Sequence, residues 1–365
     1  MSFTAHILVL ILFTTGLVIK HSRLRLAIWP VIAGLIYYIF YQNPTNDTGG
    51  NASIRVSFIV YLFMASDYIL LTNIQREFRL SGQQESIENA SFGARLRWAL
   101  TLFFNPRGVG WSHEPKGILP LGSHLSRGRF ILSQLIWSAI YLVLIDIVHF
   151  INVHTSVFKP ESIPTASLTW HLRVLGVILS GLRATSYLSF LHALLSIICV
   201  ATSISEPKGW PHLFGKWGDA YTVRKFWGRT WHQDLRRIFS SHGKYLARCL
   251  QLPSGSNSSS YVQLYTAFLI SGIIHTNPSD ARPLYFFIYQ ALAITFEDAI
   301  IALVAKMGFS SPTKAQKILG YIWVLCWFTY SIPEWTDSLI TCGLLETFDV
   351  GIISSILSRI GPVSF

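Results

Sequence analysis

Nine apolar runs near the length of a bilayer crossing constrain this chain more than any other feature of its sequence. They are Phe3–Ile19, Leu26–Tyr41, Val56–Leu71, Phe130–Ile151, a long stretch within Trp170–Thr202, Val262–Thr276, Leu284–Ala305, Ile318–Ile332 and Leu339–Ile360. A helix rises about 1.5 Å per residue, so roughly 20 apolar residues cross the hydrocarbon core. The expected fold is all-α: a polytopic membrane helical bundle of about eight or nine transmembrane helices, one domain over 1–365. Composition agrees. Hydrophobic residues make up 51% of the chain and charged residues 13%, where a soluble domain carries roughly 25% charge. Apolar and aromatic residues are too plentiful for disorder. The four cysteines (Cys199, Cys249, Cys326, Cys342) show no CxxC pair or metal-ligand spacing, so they read as core residues and no metal site is expected.

Several spans carry charge: Asp67, Asp146, Arg183, Glu297, Asp298, Glu346 and Asp349. Each costs about 2.5–3.5 kcal/mol at mid-membrane on insertion scales, so they belong inside a bundle or a watery cavity. Glu297 and Asp298 are expected in buried ion or hydrogen-bond pairs, with Arg183 as one candidate partner. The stretch 170–202 is long enough to raise two readings, a single crossing or a hairpin.

The first run lacks a basic stretch before it, and Lys20, Arg23 and Arg25 follow it. It therefore reads as a retained helix with its N-terminus outside. Alternation then puts the loop after the second helix in the lumen, where Asn46 and Asn51 head glycosylation sequons. The long loops 73–129 and 203–260 fall on the cytosolic side. They hold eight and nine Lys/Arg against four and three acids, as the positive-inside rule requires. Two further sequons, at Asn89 and Asn257, sit in these same cytosolic loops. The Ser/Gly/Asn-rich stretches 42–53 and 253–260 read as loops. The net charge of +11 thus orients the protein and does not call for nucleic acid.

The peptide Thr222-Val-Arg-Lys-Phe-Trp-Gly-Arg-Thr-Trp-His-Gln-Asp-Leu-Arg-Arg237 stands apart. Read as a helix, it puts Trp227 and Trp231 on one aromatic face and Arg229, Gln233, Arg236 and Arg237 on a basic one. An interfacial amphipathic helix would explain the Trp and Arg residues but not the His-Gln pair or Gly228. Arg pairs with phosphates and indoles stack on adenine, so this composition suits a phosphorylated nucleotide carrier such as coenzyme A. Further on, His275 ends an apolar helix with Ser271 on the same face. An ionisable group in a span is a functional candidate, and a buried neutral imidazole is the form a general base needs. The turn Asn105-Pro-Arg-Gly-Val-Gly-Trp111 is expected to expose backbone N–H groups. The other histidines are scattered without metal spacing.

Phe226-Trp227-Gly228-Arg229-Thr230-Trp231-His232-Gln233 resembles the FWgRxWHQ signature of the wax synthase-like branch of the membrane-bound O-acyltransferases. Ser271-Gly272-Ile273-Ile274-His275 resembles that branch's SGxxH helix. The Asn105–Trp111 turn and the stretch from Phe287 to Glu297-Asp298 follow in the same order, so the likeness covers about residues 100–335. Thr230 departs from it, since a second basic residue is frequent there. The resemblance is closest to fungal acetyltransferases of terpenoid and meroterpenoid pathways.

The resemblance implies transfer of an acyl group from acyl-CoA to a hydroxyl, in an intramembrane reaction chamber, with no tightly bound cofactor. A thioester is already activated, so one base and good positioning suffice. His275 is implied as the base. His232 either hydrogen-bonds the thioester carbonyl or orients the acceptor. Trp227, Arg229, Trp231, Gln233 and Arg236 line the CoA entrance, and Asn105 and Arg107 close it. Acetyl-CoA or a longer acyl-CoA, a lipophilic alcohol and the bilayer are the expected partners, and the endoplasmic reticulum the expected location. Long-chain wax ester synthesis, a transporter using the intramembrane charges, and a non-catalytic membrane protein are the competing readings. The acyltransferase reading requires His232 and His275, distant in sequence, to meet at one void.

Overall fold

The computed structural model describes residues 3–20, 22–42, 49–115, 117–118, 126–155, 164–277, 280–308, 313–343 and 351. The helices are α1 (Phe3–Val18), α2 (Arg23–Gln42), α3 (Gly49–Ala65), α4 (Ile74–Glu77), α5 (Phe92–Phe103), α6 (Arg127–Thr155), α7 (Trp170–Ala201), α8 (Val223–Lys225), α9 (Arg236–Cys249), α10 (Asn257–His275), α11 (Arg282–Lys306) and α12 (Lys314–Thr341). Among the described residues there is no β-sheet, only the isolated bridges Leu80–Trp111 and Asn277–Asp280. The protein is all-α, as expected.

Among the described residues, five helical stretches are long and apolar enough to cross a membrane: Arg23–Tyr41, Ala52–Leu71, Arg127–Asn152, Trp170–Ala201 and Arg282–Lys306. Their outer faces stay exposed at Leu132, Ile136, Ile178, Ile198, Phe296 and Leu303, the surface that lipid would cover. α1 is apolar but short at 16 residues. α10 and α12 fall outside this set, and polar residues occupy their ends: Asn257 to Ser260 in α10, Lys314 and Lys317, then Glu334 and Asp337, in α12. The stretch 170–202 is a single unbroken helix of 32 residues, about 48 Å long at 1.5 Å per residue. No hairpin breaks it. The run Leu339–Ile360 is not a separate helix at its start, because α12 continues unbroken through Thr341; most of that run, with Glu346 and Asp349, lies outside the described residues.

Two expected loops are partly helical. α3 begins at Gly49, so Asn51 lies in its first turn, while Asn46 lies outside the described residues. α10 begins at Asn257 because the Ser256 hydroxyl accepts the Ser259 N–H and caps it, which leaves only a short turn after Pro253.

Of the four apolar clusters among the described residues, two are large. One joins α1, α2, α3 and α5 around Phe13, Phe58, Tyr68 and Leu102. The other joins α10, α11 and α12 around Phe268, Phe287, Ile294 and Phe328, with Val223 and Val177 packed in. α6 and α7 pack along each other. A π-helical turn, Ser66–Leu71, ends α3. It carries Asp67, which is fully buried and takes two hydrogen bonds from Arg237 of α9. The intramembrane carboxylate is thus paired inside the bundle, as its cost demands.

Candidate active site

The segment 222–235 is not the continuous helix that its spacing suggests. Glu297, on α11, accepts the Val223 N–H at 2.7 Å and the Arg224 N–H at 3.0 Å. It also accepts the Trp323 indole N–H at 3.0 Å. Asp298 pairs with the Arg224 guanidinium and accepts the Tyr261 hydroxyl. The acidic pair therefore clamps the start of the signature peptide, with Arg224 and not Arg183 as its cation. From Phe226 to Thr230 the backbone widens into a π turn, closed where the Trp231 N–H reaches the Phe226 carbonyl at 2.7 Å. Trp231 is then extended (φ −64°, ψ 152°) and ends the helix. The Gln233 amide donates to the Trp227 and Trp231 carbonyls, and the Arg236 guanidinium donates to the Gly228 carbonyl. Together these bonds hold the break.

Two packing details explain residue choices in the motifs. Thr230 is fully buried and donates to the Lys216 carbonyl, so this position faces inward and lies outside any cationic face. Gly272 lets α10 meet α11, because a Cβ there would sit 2.6 Å from Leu284 Cδ1 and 3.1 Å from its Cα.

Between the two cores lies a cavity of about 2030 Å³, larger than the roughly 300–1,000 Å³ of most single-ligand sites. α3, α7, the 222–240 segment, α10, α11 and α12 all contribute to its wall. His232 and His275 both line it. The His275 ring stacks on Phe287 (centroids 5.3 Å, 19°) and meets the edge of Trp335 (4.9 Å, 84°). These rings fix its plane, and neither ring nitrogen bonds a described residue. His232 lies beside Trp231, in the segment between α7 and α9 and outside the spanning stretches. Its Nδ1 is enclosed and lies 3.9 Å from Asp234 Oδ2. Burial holds this imidazole below its ordinary pKa, Asp234 opposing the shift and Arg107 reinforcing it, so the ring is neutral near pH 7.

The remaining expected residues divide. Trp227, Trp231, Gln233 and Arg236 line the cavity. Trp227 is built into the wall, its N–H on Gln290 and its ring against Phe268, Phe286, Phe287 and Phe328. Arg229 is exposed and outside the lining. Arg237 is committed to Asp67. Asn105 and Arg107 do not line the cavity either. The Asn105 side chain closes its own turn onto Val109. The N–H groups of Gly108, Gly110 and Trp111 go to Asn105, Glu114 and Gly108, so the turn exposes no row of free donors. Arg107 is buried and points inward, donating to the Pro211 and His212 carbonyls. Asp234, missed in the sequence, stands between Arg107 and His232. Its position two residues after His232 was the available signal.

Residues 210–279 match the membrane bound O-acyl transferase family, a stretch holding both the Trp231-His232-Gln233 motif and His275. The chain is 36% identical to acetyltransferase ple2 of Rhodocybe pseudopiperita, over 93% of this chain and 92% of that protein. It is 33% identical to acetyltransferase eriL of Hericium erinaceus, over 91% and 89%. It is 28% identical to O-mevalon transferase yanI of Aspergillus niger, over 86% and 79%. Together with the five bilayer-length apolar stretches, these likenesses make the chain an integral membrane acyltransferase that belongs to the membrane-bound O-acyltransferase family.

Proposed function

We propose that the protein moves an acetyl group from acetyl-CoA to a hydroxyl of a hydrophobic secondary metabolite, terpenoid or meroterpenoid, in the endoplasmic reticulum membrane. The observation that carries this reading is the pairing of His232 and His275 on the wall of one cavity. Two relatives named as acetyltransferases, similar over nearly the whole chain, support acetyl as the group transferred. An enzyme of this family is not a transporter, so the intramembrane charges serve structure: Asp67 ties α9 to α3, and Glu297 ties the signature peptide to α11.

In this reading His275 takes the proton from the acceptor hydroxyl as its oxygen attacks the thioester carbonyl. The C–S bond then breaks, and the coenzyme A thiolate recovers that proton from the imidazolium. Phe287 and Trp335 hold the ring while this happens, so little of the barrier goes to orienting the base. His232 faces the same void and contacts the donor. Arg236 at the rim meets coenzyme A phosphates, and the apolar wall of Phe268, Phe286 and Phe328 receives the lipophilic alcohol.

The test is transfer from radiolabelled acetyl-CoA or palmitoyl-CoA to a panel of terpene alcohols in microsomes, with wild type beside His275→Ala. Acetyl transfer by wild type alone, with both proteins inserted equally, is the expected result. Turnover retained by His275→Ala removes the mechanism, and palmitoyl transfer exceeding acetyl transfer assigns wax ester chemistry.

A further inference from the structure

The Asp234 carboxylate lies between His232 and Arg107, a residue more than a hundred positions earlier in the chain. The Asp234 carboxylate has one oxygen 3.9 Å from His232 Nδ1 and the other 3.4 Å from Arg107 Nε. Arg107 is itself fixed by donating to the Pro211 and His212 carbonyls. The Asn105–Trp111 turn thus places a guanidinium that holds Asp234 in place. His232 Nδ1 is enclosed and has no hydrogen-bond partner among the described residues. An enclosed imidazole nitrogen left this way costs stability, and the carboxylate is the group placed to satisfy it after a small rotation. A carboxylate only accepts. A neutral imidazole carries one N–H, so the proton belongs on Nδ1. Nε2 then faces the cavity as a bare acceptor.

That assignment limits what His232 can touch. A thioester carbonyl is also an acceptor and is no partner for Nε2. The reacting hydroxyl has one proton, which goes to His275. The next hydrogen-bond donor along the acyl donor is the amide N–H of its pantetheine arm, two carbons from the sulfur.

We propose that Asp234 is a positioning residue that holds His232 with Nδ1 protonated, so that Nε2 accepts the amide N–H nearest the thioester of acyl-CoA. The inference rests on the reading of His232 as a residue that contacts the donor. It gives the Asn105–Trp111 turn a purpose that its distance from the cavity hides: Arg107 acts on the site through Asp234.

The experiment measures acetyl-CoA binding to the purified full chain in detergent, so that it needs no acceptor. Wild type is compared with Asp234→Asn, His232→Ala and the double variant, with thermal melting as the folding control. Asn matches the shape of Asp but donates to Nδ1, which drives the ring proton to Nε2. Each single variant is expected to weaken binding about five- to tenfold, the scale of one hydrogen bond. The double variant is expected to lose no more than His232→Ala alone. Wild-type binding by His232→Ala removes the donor contact on which the inference rests. Weakened binding by His232→Ala with wild-type binding by Asp234→Asn overturns the positioning role and leaves that contact standing. Equal losses from Asp234→Asn in both backgrounds mean a merely structural carboxylate, which also overturns it. Asp234→Glu, which keeps the acceptor, is expected to recover part of the affinity; no recovery in a folded variant counts against the proposal.

Discussion

Arg237, four residues beyond Gln233, donates to Asp67 at 2.9 and 3.2 Å and so joins the signature region to the end of α3. The Arg237 N–H groups also reach the Thr72 hydroxyl at 2.7 Å, and the guanidinium lies over the Phe78 ring at 4.7 Å. Asp67 is fully buried. Removing its charge strands a cation in a site shaped for a pair. Asp67→Asn is expected to destabilise the fold by about 3 kcal/mol, the lower end for a broken buried pair because Arg237 is partly exposed. Thermal melting in detergent reads this loss. A wild-type melting temperature would show that the pair is not a structural tie.

The neutral His232 ring gives acetyl-CoA binding a pH dependence of definite sign. Protonation fills Nε2 and removes it as an acceptor. Burial places the pKa below the ordinary 6.5, so affinity is expected to persist as pH falls through 6.5 and to decline only in more acid solution. A titration of acetyl-CoA binding from pH 8 to 5 checks this. Loss beginning above pH 7 would contradict it.

Gly272 is where the backbone of α10 abuts Leu284 of α11, three residues before His275. Gly272→Val is expected to push Leu284 away and shift the base, at about 1–3 kcal/mol of stability. Acyl transfer is expected to fall further than stability alone explains, because His275 sits on the next turn. Comparing residual turnover with the melting temperature separates the two effects. Wild-type turnover in this variant would show that the interface yields elsewhere.

Glu297 accepts two backbone N–H groups and an indole N–H with one carboxylate. A Gln there turns one oxygen into a donor and leaves at least one N–H facing another. Glu297→Gln is expected to cost about 1–3 kcal/mol and to raise protease sensitivity between 222 and 235. Limited proteolysis followed by mass spectrometry locates the cuts. Unchanged resistance would mean that Asp298 and Arg224 suffice as the clamp.

The bilayer-spanning character of the chain was legible because apolar runs need no tertiary context. That His232 and His275 line one cavity was a requirement of the motif-based reading, which the apolar runs by themselves did not supply. The helical-wheel reading of 222–237 failed for a local reason. The π turn and the extended Trp231 depend on Glu297, Gln233 and Arg236, whose bonds to backbone groups no periodicity reveals. Arg229 and Arg237 therefore leave the basic face assigned to them, one outward and the other to Asp67. Asn105 and Arg107 misled differently. Glycine, proline and asparagine announce a turn, but the direction in which its arginine points is settled by carbonyls at 211 and 212, about a hundred positions away. Asp234 went unread because a carboxylate becomes informative only once its neighbours in space are known.

The clamp on α11 also bears on how substrates arrive. With its first N–H groups and Arg224 fastened to Glu297 and Asp298, the peptide bearing His232 cannot swing aside as a lid without surrendering several bonds at once. The void lined by His232 and His275 is already open beside that fastened peptide, so no hinge motion of the signature segment is needed to form it.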